Sequence, residues 1–284
     1  MGNSYLSKLA LPGVHNYTCP VNDAHIRTTC GENVNVLAWL HPSNGTVVDY
    51  SRNAIPIVCT RADRDVPSNT VIVYSHGNAE DVSMTSPWAE HLSHQFDVDV
   101  MCYDYTGYGT NYNAASNESI YHNCTSVLAY IHKHHPHYTK IILYGRSIGT
   151  APAVFGAVHD DKVHAVILQS AFCSVVTTQL PMYMKKAVPR CLDMMFNDEM
   201  LKKCTAPTLL IHGTKDRVVP FSHGLRLAKH PCVWGHCWVE GAKHNDMETF
   251  YADKMCLSIE HFLQAIDHTS PPLVMPHGRP RLSH

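Results

Sequence analysis

Two hydrophobic patterns alternate along the chain. Short, nearly unbroken apolar runs are separated by longer stretches in which apolar positions return every three or four residues. The unbroken runs have the length and character of strands buried on both faces. They are TVIVYSHG (Thr70–Gly77), VDVMCYDY (Val98–Tyr105), KIILYG (Lys140–Gly145), VHAVILQSAF (Val163–Phe172), TLLIHG (Thr208–Gly213) and HCWVEG (His236–Gly241). Two earlier β-rich runs, VNVLAWLH (Val34–His41) and IPIVCTR (Ile55–Arg61), flank a turn-rich segment whose Asn44-Gly45 is a hairpin signal. The helical periodicity predicts helices over Ser86–Gln95, Glu118–His134, Thr150–Val158, about His223–Lys229, and Met247–Ile266. Strands alternating with helices imply an α/β fold, a mostly parallel central sheet with helices on both faces. No repeat and no second domain is visible. The chain divides into an N-terminal segment over 1–30, one α/β domain over 31–267, and a Pro-rich tail over 268–284 read as disordered.

Composition narrows the class. The 284 residues are 45% hydrophobic and 16% charged, enough for a large core. Lys+Arg total 22 against Asp+Glu 24, and no basic block occurs, so no nucleic-acid partner is expected. No run of about 18 apolar residues could span a bilayer. The N-terminus lacks the apolar core of a secretory signal. The 11 cysteines are odd in number, scattered, and never spaced C-x-x-C, which reads as reduced thiols of a cytoplasmic protein. Without secretion, the sequons at Asn16, Asn44, Asn117 and Asn123 are coincidental. Met1-Gly2 resembles a myristoylation start, but Leu6 stands where Ser or Thr is wanted and Ser7 comes one place late.

The chemistry gathers where KIILYG gives way to RSIGTAP. A sharp strand-to-helix turn strains the residue at its apex and brings backbone close on either side. Residues two places before and after the apex must then be very small. Gly145 and Gly149 meet that need around Ser147, the pattern G-x-S-x-G of a nucleophile elbow. A serine hydroxyl needs a base, an orienter for the base, and donors for the oxyanion. In this arrangement the chain order is Ser, then Asp or Glu, then His. Asp216 in LLIHGTKDRVVP and His244 in WVEGAKHNDME lie in loops after late strands, where open α/β sheets keep their sites. Glu240 is the rival orienter, at the end of the last strand, and Asp246 is expected to cap the last helix. The oxyanion donors are expected to be the N–H groups of Ile148 and of Asn78, which follows the strand ending in His76-Gly77. Gly77 is expected to let backbone approach the reacting carbonyl, and His76 to act as a structural hydrogen-bonder.

Together, YSHGNAED, YDYTGYG, YGRSIGT, LLIHGTKD with FSHG, and VEGAKHND resemble the α/β-hydrolase group that contains the alpha/beta hydrolase domain-containing 17 depalmitoylases and the Bem46-like hydrolases. The matching motifs run in order from about Val71 to about Ile266. The resemblance implies the α/β-hydrolase fold and a serine hydrolase with the triad Ser147, Asp216 and His244. It needs no cofactor. The favoured substrates are S-palmitoylated protein cysteines, then small lipid esters such as monoacylglycerol or lysophospholipid. A non-catalytic binding module on the same fold is a third reading. The implied partner is an acylated protein or lipid ester, reached through peripheral membrane contact. No residue pattern assigns an oligomeric state. The depalmitoylating relatives carry a Cys-rich, palmitoylated N-terminal segment, whereas only Cys19 and Cys30 lie near the start here. Those relatives often have Gln where this chain has Arg146. Arg146 is expected to face away from the pocket and pack on the surface, with anionic head-group binding as the alternative.

Between LQSAF and TLLIHG this fold inserts a cap, here about 35 residues over about 173–206, short for a lid. Met182, Met184, Met194, Met195, Phe196 and Met200 lie in it. They suit an acyl groove lined by Met182 and Met184, or equally a short helix packed on the sheet. Tyr105 is a further candidate lining residue, and Asp104 is expected to bond backbone. The run HKHHPH (His132–His137) ends a predicted helix, where solvated histidines favour the dipole, and is not expected to bind metal.

Overall fold

The computed structural model describes residues 25–27, 33–35, 37–48, 53–62, 66–111, 113–175 and 195–267. Nine strands form one sheet, and a separate antiparallel ribbon pairs β1 (His25–Arg27) with β2 (Asn33–Asn35). The sheet strands are β3 (Ala38–Leu40), β4 (Val47–Val48), β5 (Ile55–Thr60), β6 (Thr70–Ser75), β7 (Asp99–Tyr103), β8 (Lys140–Arg146), β9 (Val163–Gln169), β10 (Thr208–Gly213) and β11 (Val233–Val239). Their spatial order is β11-β10-β9-β8-β6-β7-β5-β3-β4. The six strands from β6 to β11 run parallel, and β3, β4 and β5 continue the sheet antiparallel.

The inner parallel strands are largely apolar because both their faces are covered. In β6, Val71 and Val73 pack in one hydrophobic layer, while Ile72 and Tyr74 pack in the other. Ile141 and Leu143 of β8 alternate with Ile142 and Tyr144 in the same way. The first layer is closed by α2 (Asn117–His134) and α3 (Thr150–His159), through residues such as Ile120, Val127 and Val154. The second is closed by α1 (Val82–Phe96) and α7 (Ala252–Asp267), through Leu92, Ile259 and Phe262. Shorter helices are α4 (Asn197–Met200), α5 (Ser222–Leu227) and α6 (Met247–Phe250).

The elements follow the hydrophobic pattern closely, with instructive differences. Helix α1 begins at Val82 rather than Ser86, because Asp81 caps it. The Asp81 carboxylate accepts the N–H groups of Ser83 and Met84, an arrangement worth about 1 kcal/mol. The run Val34–His41 is two strands, β2 in the ribbon and β3 in the sheet. An apolar run does not say which neighbour it will pair with. The last helix divides at Tyr251 into α6 and α7. The Asn44-Gly45 hairpin forms as expected, with Gly45 at φ +67° and β3 paired antiparallel to β4.

The chain leaves β6 for β7 on one side and returns to β8 on the other. The sheet's switch in direction therefore lies between β6 and β8, and a crevice at their C-terminal ends follows from that topology. The N-terminal segment over 1–24, the cap residues 176–194 with Met182 and Met184, and the tail over 268–284 lie outside the described residues. Of the cap, Met195 and Leu201 are buried in the core, and Met200 packs against it.

Candidate active site

The elbow forms at the end of β8. Ser147 opens a single 3-10 turn (Ser147–Gly149) that runs straight into α3. Its φ of +52° is left-handed, a conformation that costs a non-glycine residue about 1–3 kcal/mol. The two glycines make room for the turn. A Cβ on Gly149 would overlap the carbonyl oxygens of Ser75 and His76, and one on Gly145 would overlap Gly149 and Thr150 backbone. Thr150 Oγ1 donates to the Ser147 carbonyl (2.6 Å) and accepts from Asn197 Nδ2 (2.9 Å), so the chain returning from the cap is tied beneath the elbow.

The fold brings two distant loops to this serine. His244 Nε2 lies 3.1 Å from Ser147 Oγ, and His244 Nδ1 lies 2.7 Å from Asp216 Oδ2. An ionised carboxylate only accepts, so the proton of the neutral imidazole sits on Nδ1 and Nε2 is left to accept from the serine hydroxyl. Asp216 serves its own loop with the other oxygen. Oδ1 accepts the N–H groups of Val218 (2.9 Å) and Val219 (2.8 Å), which fixes the carboxylate plane. Burial pushes the Asp216 carboxyl up. The hydrogen bond and charge of His244 and the Val219 amide outweigh this and hold it below the usual carboxylate range. Ser147, Asp216 and His244 are 9%, 5% and 7% exposed. Glu240 is exposed just beyond β11, and the bond to His244 is made by Asp216.

Opposite the serine lies the loop after β6. Ile148 is buried at the first turn of the helix, and Asn78 is exposed at the loop tip. Among the described residues, no turn or cap hydrogen bond takes up either amide. The loop is pinned from below. Tyr105 Oη donates to the His76 carbonyl (2.7 Å) and Tyr108 Oη to Asn78 Oδ1 (2.7 Å). His76 Nδ1 donates to the Gly77 carbonyl (2.9 Å), and its ring lies against Tyr105 with centroids 4.1 Å apart. Burial lowers the His76 imidazole, and it raises the neighbouring Asp104 carboxyl well above its usual range. Asp104 accepts the Val82 N–H (2.8 Å), as expected of a backbone-bonding aspartate.

Three expectations need correcting. Among the described residues Tyr105 points inward: it is fully buried, and its hydroxyl is spent on the loop. Asp246 takes the N-cap position of α6, but its carboxylate makes no cap bond and accepts the Lys243 N–H instead (2.7 Å). At Gly77 the side-chain direction is closed, since a Cβ there would lie 2.6 Å from Arg146 Nη1 and 2.9 Å from Glu80 Oε2. Arg146 does not pack on the surface. It is 8% exposed and ion-paired with Glu80 and with Glu248 (2.6 Å). This charged cluster was missed by sequence reasoning. Its one local signal was a cation ending an otherwise apolar strand.

A cleft of about 860 Å³ opens on the imidazole side of the site, lined among others by Asp216, Val218, Lys243, His244 and Phe250. Phe250 is 75% exposed at its rim. Ser147 is not among its lining residues, so this opening reaches His244 and Asp216 rather than the Ser147 hydroxyl. The histidines at the end of α2 and just beyond it form no metal-like cluster among the described residues, and His132 Nε2 pairs with Asp160 (2.6 Å). The eight cysteines among the described residues are free thiols.

The serine aminopeptidase S33 family pattern matches residues 67–198. The chain is similar to Alpha/beta hydrolase domain-containing protein 17B of Xenopus laevis, 33% identical over 263 residues, which is 86% of each chain. It is likewise similar to Alpha/beta hydrolase domain-containing protein aho-3 of Caenorhabditis elegans, 33% identical over 230 residues, 79% of this chain and 68% of that one. Among solved structures, it resembles Est1E of Butyrivibrio proteoclasticus with ferulic acid bound: TM-score 0.62 and 15% identity over 76% of this chain and 96% of that one. The monoacylglycerol lipase of Paleococcus ferrophilus gives TM-score 0.55 and 18% identity, covering 75% of this chain and 99% of that one. At these identities the solved structures speak for the fold.

Proposed function

Because the chain belongs to the alpha/beta hydrolase domain-containing 17 family of α/β hydrolases, we propose that it is a serine acyl hydrolase working through Ser147, His244 and Asp216. The observation that carries this reading is the pair of contacts at His244, 3.1 Å to Ser147 Oγ and 2.7 Å to Asp216 Oδ2, at the apex of a strained turn. His244 Nε2 takes the hydroxyl proton as Ser147 Oγ attacks the acyl carbonyl carbon. Asp216 holds the imidazole in the tautomer that makes this transfer possible and offsets its charge once protonated. The tetrahedral oxyanion accepts from the Ile148 and Asn78 N–H groups, with the N-terminus of α3 adding its dipole at the same place. As the intermediate collapses, the imidazolium gives its Nε2 proton to the departing thiolate or alkoxide, which leaves as the thiol or alcohol. Water, activated by the same imidazole, then releases the acid from Ser147. The mechanism calls for no metal or organic cofactor.

The favoured substrates are S-palmitoylated protein cysteines, on the strength of the family resemblance. Small lipid esters are the next reading. A fluorophosphonate probe is expected to label the wild type and to leave Ser147→Ala unlabelled, with turnover reduced at least about 10³-fold. Labelling that survives the substitution would place the nucleophile elsewhere. Side-by-side rates on p-nitrophenyl esters of graded length and on a palmitoyl-cysteine peptide then separate the substrate classes.

A further inference from the structure

The residue between the elbow glycine and Ser147 is a buried arginine whose guanidinium touches both halves of the site. Arg146 Nε donates to Glu248 Oε1 (2.6 Å), in the first turn of α6. Nη2 donates to Asn245 Oδ1 (3.0 Å) and to the His244 carbonyl (3.5 Å), in the loop after β11. Nη1 pairs with Glu80 Oε1, in the loop after β6. Glu80 passes the restraint on, because its Oε2 accepts the Gly77 N–H (2.7 Å), one residue before Asn78. Glu248 is fixed from the other side: its Oε1 also accepts from Gln169 Nε2 (2.7 Å), whose Oε1 accepts the Tyr144 hydroxyl (2.7 Å). The Arg146 side chain is 9% exposed, and the two carboxylates about one-fifth exposed at 19% and 20%. One planar group thus bonds to the loop that carries the base, to the helix behind it, and to the loop that offers the oxyanion donor. A flexible ammonium could not hold all of these in one geometry.

We propose that Arg146 is a positioning residue that sets the His244 loop and the Asn78 loop in register with Ser147. The proposal rests on the hydrolase reading above and extends it. Its guanidinium points to the back of both loops, so it acts through them. Both elements it restrains act on the transition state: the imidazole moves a proton, and the Asn78 amide meets the oxyanion. Loss of the restraint should therefore appear in kcat and leave ground-state binding of a small ester alone. The same geometry accounts for Gly77, since any Cβ there would push against the Arg146–Glu80 pair.

The test measures kcat and KM on p-nitrophenyl butyrate for the full chain, with Arg146→Ala, Glu80→Gln and the double variant, each checked for folding by circular dichroism. Arg146→Ala is expected to lower kcat about 10- to 100-fold, in line with the cost of displacing a catalytic group by about 1 Å, with KM within about twofold of wild type. Glu80→Gln, which loosens only the donor loop, is expected to lower kcat less. The double variant is expected to be no slower than Arg146→Ala, because both act through one contact. A kcat within about twofold of wild type in folded Arg146→Ala overturns the proposal. So does a loss carried by KM, or a double variant whose losses multiply. If Arg146→Ala does not fold, Glu80→Gln decides alone: a lower kcat at constant KM supports the role, and an unchanged kcat removes it. Ser147→Ala is run beside these. Turnover surviving there takes down the hydrolase reading itself, whereas an inactive Ser147→Ala beside a fully active Arg146→Ala takes down only the role of Arg146.

Discussion

Ser147 and His244 meet at 3.1 Å, yet the segments that carry them are held by different physics. The elbow is held by shape. A buried apolar strand feeds a helix, and glycine at 145 and 149 lets backbone pass backbone where a methyl group would not fit. The His244 loop is held by polar contacts. Asp216 and Arg146 grip it from two sides, one with a carboxylate and the other with a guanidinium. Steric confinement is short-ranged and tolerates no added atom. Charge-assisted hydrogen bonds reach between distant loops and tolerate changes of shape, but not loss of a partner. The two halves should therefore fail differently.

The largest expected effect strikes the polar half. Asp216→Asn keeps the size of the side chain but offers the imidazole an ambiguous partner, so the tautomer with Nε2 free is no longer enforced. A kcat loss of about 10⁴-fold is expected with folding retained, read by ester turnover beside circular dichroism. A variant within tenfold of wild type would show that the imidazole is oriented by something other than the carboxylate.

The second strikes the steric half. Gly149→Ala sets a methyl group against the carbonyls of Ser75 and His76, which are backbone and cannot rotate away. Destabilisation of about 3 kcal/mol, at the upper end for overpacking, is expected in urea unfolding, together with loss of fluorophosphonate labelling. A variant of normal stability would mean that the elbow can open. That would remove the contrast with the His244 loop.

The smallest concerns pH. The Asp216 carboxyl is held below its ordinary range in the folded protein, chiefly by His244 against the opposing effect of burial. Between the folded and the unfolded value the unfolded chain binds more protons than the folded one. The stability Asp216 contributes is thus fully present above the unfolded value and is lost as pH falls through the folded one. Thermal unfolding from neutral to acid pH should show the wild type losing more stability than Asp216→Asn. Parallel curves would mean that the carboxylate contributes nothing through its charge.

Much of this was legible in the chain. The run KIILYG reads as a strand covered on both sides, and Gly-x-Ser-x-Gly placed directly after it reads as a tight turn with a small-residue requirement. Both are local, and the pattern of neighbours records them. Asp216 and His244 were readable by chain order and by their places after β10 and β11. Arg146 was misjudged because its partners lie 66 and 102 residues away in sequence, and nothing near position 146 announces Glu80 or Glu248. Tyr105 was misjudged for a related reason. A tyrosine after a strand can face a pocket or reach inward, and the choice falls to the carbonyl of His76, which needs a donor. At Gly77 the sequence marks a small-residue position, and the structure adds that Arg146 and Glu80 close its side-chain direction.

What the sequence determined by itself is the layered sheet, the elbow with its glycines, and the order in which hydroxyl, carboxylate and imidazole arrive. Each of these follows from hydrophobic periodicity or from steric limits within a few residues. Only the tertiary structure decided which charges neutralise one another, which hydroxyls are spent on holding the loop after β6, and how a single arginine comes to bridge both loops beside Ser147. Those outcomes depend on groups that become neighbours only when the strands align, and whose burial makes an unpaired charge too costly to leave.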